Sequence, residues 1–118
     1  MCEIKRVKVG DNEYSFYNRS ESTRNGFKHI TQLFKNDVLI ASDTAHYLNR
    51  TWECYRYQTV MKNCVNTMID RIKDNLKESV KNELGIKRMT EKGKHQLAMR
   101  IATDSKINEL NSLYNELD

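Results

Sequence analysis

Apolar and polar residues alternate along the first part of the chain in the pattern of β-strands. Ile4, Val7 and Val9 mark a first strand, and the aromatic run Tyr14 to Tyr17 marks a second. The sequence Gly10-Asp11-Asn12 between them favours a tight turn, because glycine and asparagine tolerate a positive φ. These two strands are therefore predicted to form a hairpin.

A second hairpin is predicted after a polar stretch. The stretch from Arg19 to Gly26 contains no apolar residue and predicts a loop. The side chains from Phe27 to Phe34 alternate again as in a strand. Asn36-Asp37 predicts another tight turn, and a further strand runs from Val38 towards Tyr47. The first half of the chain thus predicts an antiparallel sheet of three to five strands.

Helical periodicity replaces this alternation after residue 50. Apolar side chains recur at spacings of three and four from Met61 to Leu84, which is one face of a helix. Thr51 is a predicted N-cap, and Gly85 stands where a C′ glycine belongs. A helix from Trp52 to Leu84 would be roughly 50 Å long. Because a small sheet cannot cover its whole apolar face, we expect at least a homodimer, or a higher homo-oligomer.

A second helix is predicted near the end of the chain. Thr90 can cap it, with Glu91 in its first turn. Its apolar residues form two patches that are rotated relative to each other, and Thr103-Asp104-Ser105 between them predicts a kink or short break. The predicted fold is α+β: one domain over residues 1–118, with an antiparallel sheet in residues 1–50 and two helices, the first long, in residues 51–118.

The composition of the chain indicates which kinds of partner and which cellular compartment to expect. Twenty basic residues against sixteen acidic ones give a net charge of +4, which favours a polyanion or an acidic protein surface as partner. No secretory signal or membrane span is predicted, since the apolar run Val38–Ala41 is far too short. Three cysteines without metal-site spacing fit a reduced cytoplasmic compartment.

The sequence offers little for catalysis. His29, His46 and His95 have no acid or nucleophile at motif spacing, and no glycine-rich phosphate loop is present. Cys54 and Cys64 are ten residues apart on the predicted helix, and one or both act as small core residues. We therefore expect no enzyme activity, no cofactor and no metal site.

Binding chemistry is concentrated where the sheet is predicted to meet the helices. Arg50, Tyr55, Arg56 and Tyr57 combine flat rings for stacking with guanidinium groups that fork onto phosphate or carboxylate. The alternative is that Trp52, together with Tyr55 and Tyr57, packs the helix onto the sheet as core.

Two further basic segments are candidates. In the predicted loop, Arg19 and Arg24 could hold an anion, although a plain solvated loop explains them better. Between the two helices, basic residues outnumber acids, and such a hinge can contact nucleic-acid backbone without reading sequence. The candidate residues of this hinge are Lys87, Arg88, Lys92 and Lys94. The acidic end of the chain could also pair with the hinge of a second copy.

The segment from Asn49 to Gln58, with Asn49-Arg50-Thr51-Trp52-Glu53 followed by Tyr55, resembles part of short uncharacterised proteins encoded by phages and plasmids of low-GC Gram-positive bacteria. The resemblance spans about Ile30 to Met68. It implies a small accessory protein of a mobile element. Such proteins include inhibitors of host defence (anti-CRISPR proteins among them), sponges for nucleotide signals and DNA-metabolism accessories.

These observations together predict a non-enzymatic binding protein. The leading hypothesis is an anti-CRISPR-like host-defence inhibitor that binds a nucleic-acid-processing complex in the host cytoplasm. The alternatives are a small accessory protein that binds DNA or RNA directly, and a sponge that sequesters nucleotide immune signals. The expected partner is accordingly a host defence protein, a nucleoprotein complex, DNA or RNA, or a nucleotide, and not a membrane.

Overall fold

The computed structural model describes residues 2–47 and 57–118. Within them, the strands β1 (Cys2–Val9), β2 (Asn12–Thr23), β3 (Gly26–Lys35) and β4 (Val38–Tyr47) form one antiparallel sheet in chain order. The helices α1 (Tyr57–Leu84), α2 (Glu91–Thr103) and α3 (Ser105–Asn115) follow. The α+β class and the antiparallel sheet are confirmed. The helical part differs from the prediction, since three helices are described where two were expected.

Both short turns form where the sequence predicted them. Gly10 has a φ of 61°, and Asn36 and Asp37 have φ values of 49° and 67°. Asn36 also ties its turn to β2, because its side-chain oxygen accepts a hydrogen bond from the Glu13 amide at 2.9 Å. Its own amide donates to the Glu13 carbonyl at 2.8 Å. Local turn chemistry therefore fixes the register at this end of the sheet.

The predicted loop from Arg19 to Gly26 is wrong. β2 continues to Thr23 and pairs with β3 as far as Gly26, so only Arg24 and Asn25 lie in the turn. The side chains from Arg19 to Asn25 are all exposed, and no apolar alternation marks this part of the strand. Backbone hydrogen bonds between strands do not depend on that alternation, which explains why the sequence pattern missed them.

One face of the sheet carries the core. α1 packs on β3 and β4, and α3 packs beside β1. The thiol of Cys64 donates to the Thr31 carbonyl at 3.4 Å, so this cysteine is a buried core residue as predicted. The helix start predicted at Trp52, its cap Thr51, and Cys54 lie outside the described residues. The buried cluster comprises Tyr14, Phe16, Leu33, Ala41, Met61, Cys64, Val65, Ile69, Ile107, Leu110, Leu113 and Leu117.

The ends of the helices follow the predicted signals. Gly85, with a φ of 65°, lets the Ile86 amide donate to the Lys81 carbonyl at 3.0 Å, which closes a Schellman motif at the end of α1. The Thr90 hydroxyl accepts from the Gly93 amide at 3.1 Å and caps α2. Asp104 ends α2 and caps α3, so the predicted break lies at this residue.

Most of the apolar face of α1 is covered within one chain, and Met68 and Ile72 stay half-buried. α2 packs against the end of α1, where Arg100 forms an ion pair with Glu83. α3 runs on beside the start of α1, and Asp118 forms an ion pair with Lys62. The predicted dimer was inferred from an uncovered face of α1. Because α2 and α3 of the same chain cover most of that face, a second copy is not needed to bury it, and oligomerisation stays a prediction.

The two ends of the chain meet at the edge of the sheet. The ammonium group of Lys5 in β1 donates to the Glu116 carbonyl at 2.8 Å, across 111 positions of sequence. Leu117 is buried in the core beside it. Strand β1 is thus held by β2 on one side and by the last residues of the chain.

Candidate functional site

The end of the α1–α2 hairpin is the most basic part of the chain. Residues 85–100, which we call the basic tip, contain five basic residues and one acidic residue, Glu91. All other residues of the chain together contain fifteen of each kind. The entire net charge of +4 therefore resides in this one segment.

Local structure holds the basic tip in place. The Schellman motif at Gly85 turns the chain out of α1, and the Thr90 cap starts α2 five residues later. The connection packs tightly on the first turn of α2, because a Cβ atom added at Gly93 would lie 2.5 Å from the Met89 sulfur. The same Cβ would lie 3.3 Å from a methyl group of Ile86. The connection with Lys87 and Arg88 therefore packs on the first turn of α2, which carries Lys92 and Lys94.

Only part of this positive charge is neutralised by neighbouring acids. Arg100 pairs with Glu83, and Lys94 lies 3.4 Å from Glu91. Lys87, Arg88 and Lys92 are exposed and form no ion pair with a described residue. These three side chains are free to contact an external anion.

The dipole of α2 adds to the potential of these cations. Lys92 and Lys94 stand in the first turns of α2, where the unpaired amides already carry partial positive charge. Cations at this end of a helix are unfavourable for its stability. A bound phosphate would relieve both the repulsion among the lysines and the unfavourable dipole interaction.

Most of the aromatic and arginine residues predicted as binding anchors lie outside the described part of the chain. Arg50, Tyr55 and Arg56 lie outside the described residues. Tyr57 is the first described residue of α1, and its hydroxyl accepts a hydrogen bond from the Asn18 side chain at 3.5 Å. Tyr57 is half-buried, and this hydrogen bond links it to β2 of the sheet. The core alternative for the aromatic residues stays a prediction.

Arg19 and Arg24 do not form one anion-binding loop. Arg19 lies in β2 opposite Ile30 and forms an ion pair with Glu21 at 3.2 Å. Arg24 lies in the hairpin turn, five positions further along, or roughly 16 Å at the rise of a strand. The two arginines therefore do not lie in one loop, as the predicted anion site required.

Sequence reasoning missed a polar cluster on the sheet face opposite the helices. Arg6 donates to Tyr17 at 3.1 Å and forms ion pairs with Glu3 and Glu13. The ring of Tyr17 packs edge-to-face on Phe34 at 5.3 Å. Strand alternation alone places Arg6, Tyr17 and Phe34 on the same face of the sheet. It does not show which of the two faces the helices cover, and the sequence therefore did not reveal this cluster as a surface. Because two carboxylates already satisfy Arg6, this face is a poorer phosphate site than the basic tip.

The described residues show no arrangement typical of a metal or nucleophile site. They contain no group of three or more His, Cys, Asp or Glu side chains placed to hold a metal ion. Burial raises the pKa of the Cys64 thiol to about 12, which opposes formation of the thiolate. His29 is buried and its Nδ1 lies 2.8 Å from the Ser20 hydroxyl.

Comparison with known proteins returned no relative. No protein-family model matches the chain, no curated protein matches it, and no solved structure matches it. None of the described helices is both long enough and apolar enough to span a membrane.

Proposed function

We propose that this protein is a non-enzymatic binding protein that contacts nucleic-acid phosphates through its basic tip. The observation that carries the proposal is the placement of the whole net charge in residues 85–100, which comprise the connection between α1 and α2 and most of α2. Contacts of lysine and arginine with phosphate give affinity without sequence preference. Three cations of the tip form no ion pair with any residue that the structure describes and are available for such contacts: Lys87, Arg88 and Lys92.

The biological setting that we propose follows the resemblance to accessory proteins of phages and plasmids. In that setting the protein acts in the host cytoplasm as an anti-CRISPR-like inhibitor of a nucleic-acid-processing complex. The basic tip would dock where the complex exposes the phosphates of its bound strand. Direct binding to free DNA or RNA, as an accessory protein of nucleic-acid metabolism, is the second candidate, because the same cations favour it.

The phosphate contact is tested by fluorescence anisotropy with a labelled duplex of about 20 base pairs, at salt concentrations between 50 and 200 mM. Three phosphate contacts predict that log K falls with log[salt] with a slope of about −2.7, which is about a 40-fold loss over this range. Lys87→Gln combined with Lys92→Gln should reduce the slope to about −0.9, or about a fourfold loss.

A matched control removes the same charge elsewhere. Lys8 and Lys77 are exposed, and neither forms an ion pair with a described residue. Lys8→Gln combined with Lys77→Gln leaves the same net charge as the tip variant and should retain the slope of the parent. Equal losses in both variants would mean that net charge, and not the tip, determines binding, and would contradict the proposal.

The two candidate functions are separated by a capture experiment. The tagged protein and the tip variant are incubated with lysate from a low-GC Gram-positive host, with and without added nuclease. An inhibitor of a nucleoprotein complex should retain specific host proteins, and the tip variant should lose them. An accessory protein that binds nucleic acid directly should retain only material that nuclease removes.

A further inference from the structure

A cleft separates α1 from α3 above the end of the sheet. It has a volume of about 160 Å³ and opens to solvent. Its apolar wall is formed by Ile40 of β4, Met68 and Ile72 of α1, and Leu110 of α3. This is the size of an apolar cavity that takes up a molecule such as benzene. The cleft can therefore hold a small apolar body of six to eight carbon atoms, by a rough estimate from that comparison.

Two lysines line the same cleft. Lys35 stands at the end of β3, with its ammonium group 6.0 Å from the centre of the Tyr14 ring. Lys106 is exposed in the first turn of α3. Neither lysine forms an ion pair with a described residue. An apolar cleft with two such cations is complementary to a molecule that has an apolar body and a negative group.

The carboxylate of Glu109, next to Leu110 in α3, is already engaged. Glu109 accepts hydrogen bonds from the Tyr14 hydroxyl at 2.9 Å and from the Asn12 side chain at 2.7 Å. Burial, together with the hydrogen bond to Glu109, raises the pKa of Tyr14, so its hydroxyl stays protonated and continues to donate. These donors orient the Glu109 carboxylate towards Asn12 and Tyr14, and leave the charge of the two lysines available.

We infer that this cleft binds a small amphipathic carboxylate, with its apolar body against Met68 and Ile72 and its carboxylate between Lys35 and Lys106. This site differs from the basic tip in both place and chemistry. The tip offers charge without an apolar wall, whereas the cleft requires both parts of the ligand. Failure of one site therefore leaves the other intact.

The methionines of the chain provide a direct assay. The protein is labelled with ¹³C in its methionine methyl groups and titrated with benzoate. Met68 lines the cleft, whereas Met89 and Met99 both lie in the basic tip, Met99 being exposed on α2. We expect the Met68 signal to shift and saturate while the Met89 and Met99 signals stay unchanged. Parallel shifts of Met68 and Met89 would indicate general association with anions and would overturn the inference.

Two simpler ligands separate the contribution of the apolar ring to binding from the contribution of the carboxylate. Benzyl alcohol has the ring without the charge, and acetate has the charge without the ring; both should bind more weakly than benzoate. Lys35→Met with Lys106→Met retains the apolar stems and should weaken benzoate binding about tenfold, the combined effect of two exposed ion pairs. It should leave benzyl alcohol binding unchanged.

A second variant fills the cleft. Ile72→Phe adds volume at the half-buried wall and should abolish the Met68 shift, while a thermal melt checks that the protein stays folded. If benzyl alcohol binds as tightly as benzoate to the parent, or if the lysine variant binds benzoate like the parent, the carboxylate site is refuted. Absence of any Met68 shift in the parent refutes the cleft as a binding site.

Discussion

Asp104 offers a sharp test of how the helical part is held together. It lies between α2 and α3 with a φ of −72° and a ψ of 120°, which is an extended conformation. Its amide donates to the Ile101 carbonyl at 3.4 Å, and its carboxylate accepts from the Ile107 amide at 2.9 Å. One residue thus ends one helix and starts the next.

The burial pattern requires this break. Ile101 of α2 packs against the same core cluster to which Leu110 of α3 belongs. These two residues are nine positions apart, and at about 100° per residue an unbroken helix would place them on opposite faces. The extended conformation of Asp104 resets the helix phase, so that both side chains reach the core. The cap then stabilises the start of α3 in that new phase.

The expected cost of removing the cap follows from these contacts. Asp104→Ala takes the acceptor from a partly buried amide, and replacement of an N-cap aspartate by alanine typically costs about 1 kcal/mol. Loss of the negative charge at the start of the helix adds a few tenths of a kcal/mol, on the order of 0.3. We expect the free energy of unfolding to fall by about 1–1.5 kcal/mol, which lowers the urea midpoint by roughly 0.5–1 M.

The assay is urea unfolding followed by far-ultraviolet circular dichroism, with two controls. Asp104→Asn keeps a capping oxygen and should retain most of the stability, because asparagine caps about as well as aspartate. Asp74→Ala removes an exposed carboxylate within α1 and should change the stability little. The reasoning is refuted if Asp104→Ala unfolds like the parent, or if Asp104→Asn loses as much stability as Asp104→Ala.

Two further predictions concern Cys64 and Gly85. Burial raises the pKa of Cys64 from 9.0 to about 12, so an unfolded chain loses this proton first as the pH rises. The contribution of the protonated Cys64 to the free energy of unfolding is complete below pH 9 and is lost between pH 9 and pH 12, by about 1.4 kcal/mol per pH unit. In urea titrations at increasing pH, Cys64→Ala should lack this part of the fall in the free energy of unfolding. Tyr14 also has a raised pKa and lowers the free energy of unfolding at alkaline pH equally in the parent and in Cys64→Ala. If the free energy of unfolding falls as steeply with pH in the variant as in the parent, the prediction for Cys64 is contradicted. Gly85→Ala should cost about 1 kcal/mol from its φ of 65° alone, because an added Cβ meets no atom within 4 Å. Gly85→Asn should cost less, and equal losses for the two variants would argue against backbone strain as the cause.

The sequence predicted those elements whose signals are local. Asn36-Asp37, Gly85 and Thr90 determine the backbone within a few residues of themselves, and each turn or cap lies where it was expected. The end of β2 from Arg19 to Thr23 could not be predicted in this way, because its strand conformation depends on pairing with β3. Polar residues on both faces of a hairpin leave no alternation to detect.

The candidate site was predictable only in part. The basic residues between the helices are visible in the sequence, but the structure adds that Arg100 and Lys94 have partners while Lys87, Arg88 and Lys92 have none among the described residues. The cleft could not be predicted at all. It joins Lys35 to Lys106, which are far apart in sequence and become neighbours only when α3 returns to the sheet.

That return of α3 also determines when the protein can fold. Lys5 in the first strand hydrogen-bonds to Glu116, and Leu117 completes the core. At about 5–20 residues per second, the 111 positions from Lys5 to Glu116 take roughly 6–22 s to synthesise, and this contact cannot form before then. The hairpins of the sheet can pair earlier, since their partners are adjacent in sequence. During that interval the nascent sheet exposes Tyr14, Phe16 and Leu33, which makes the unfinished chain a substrate for chaperones that bind apolar surface.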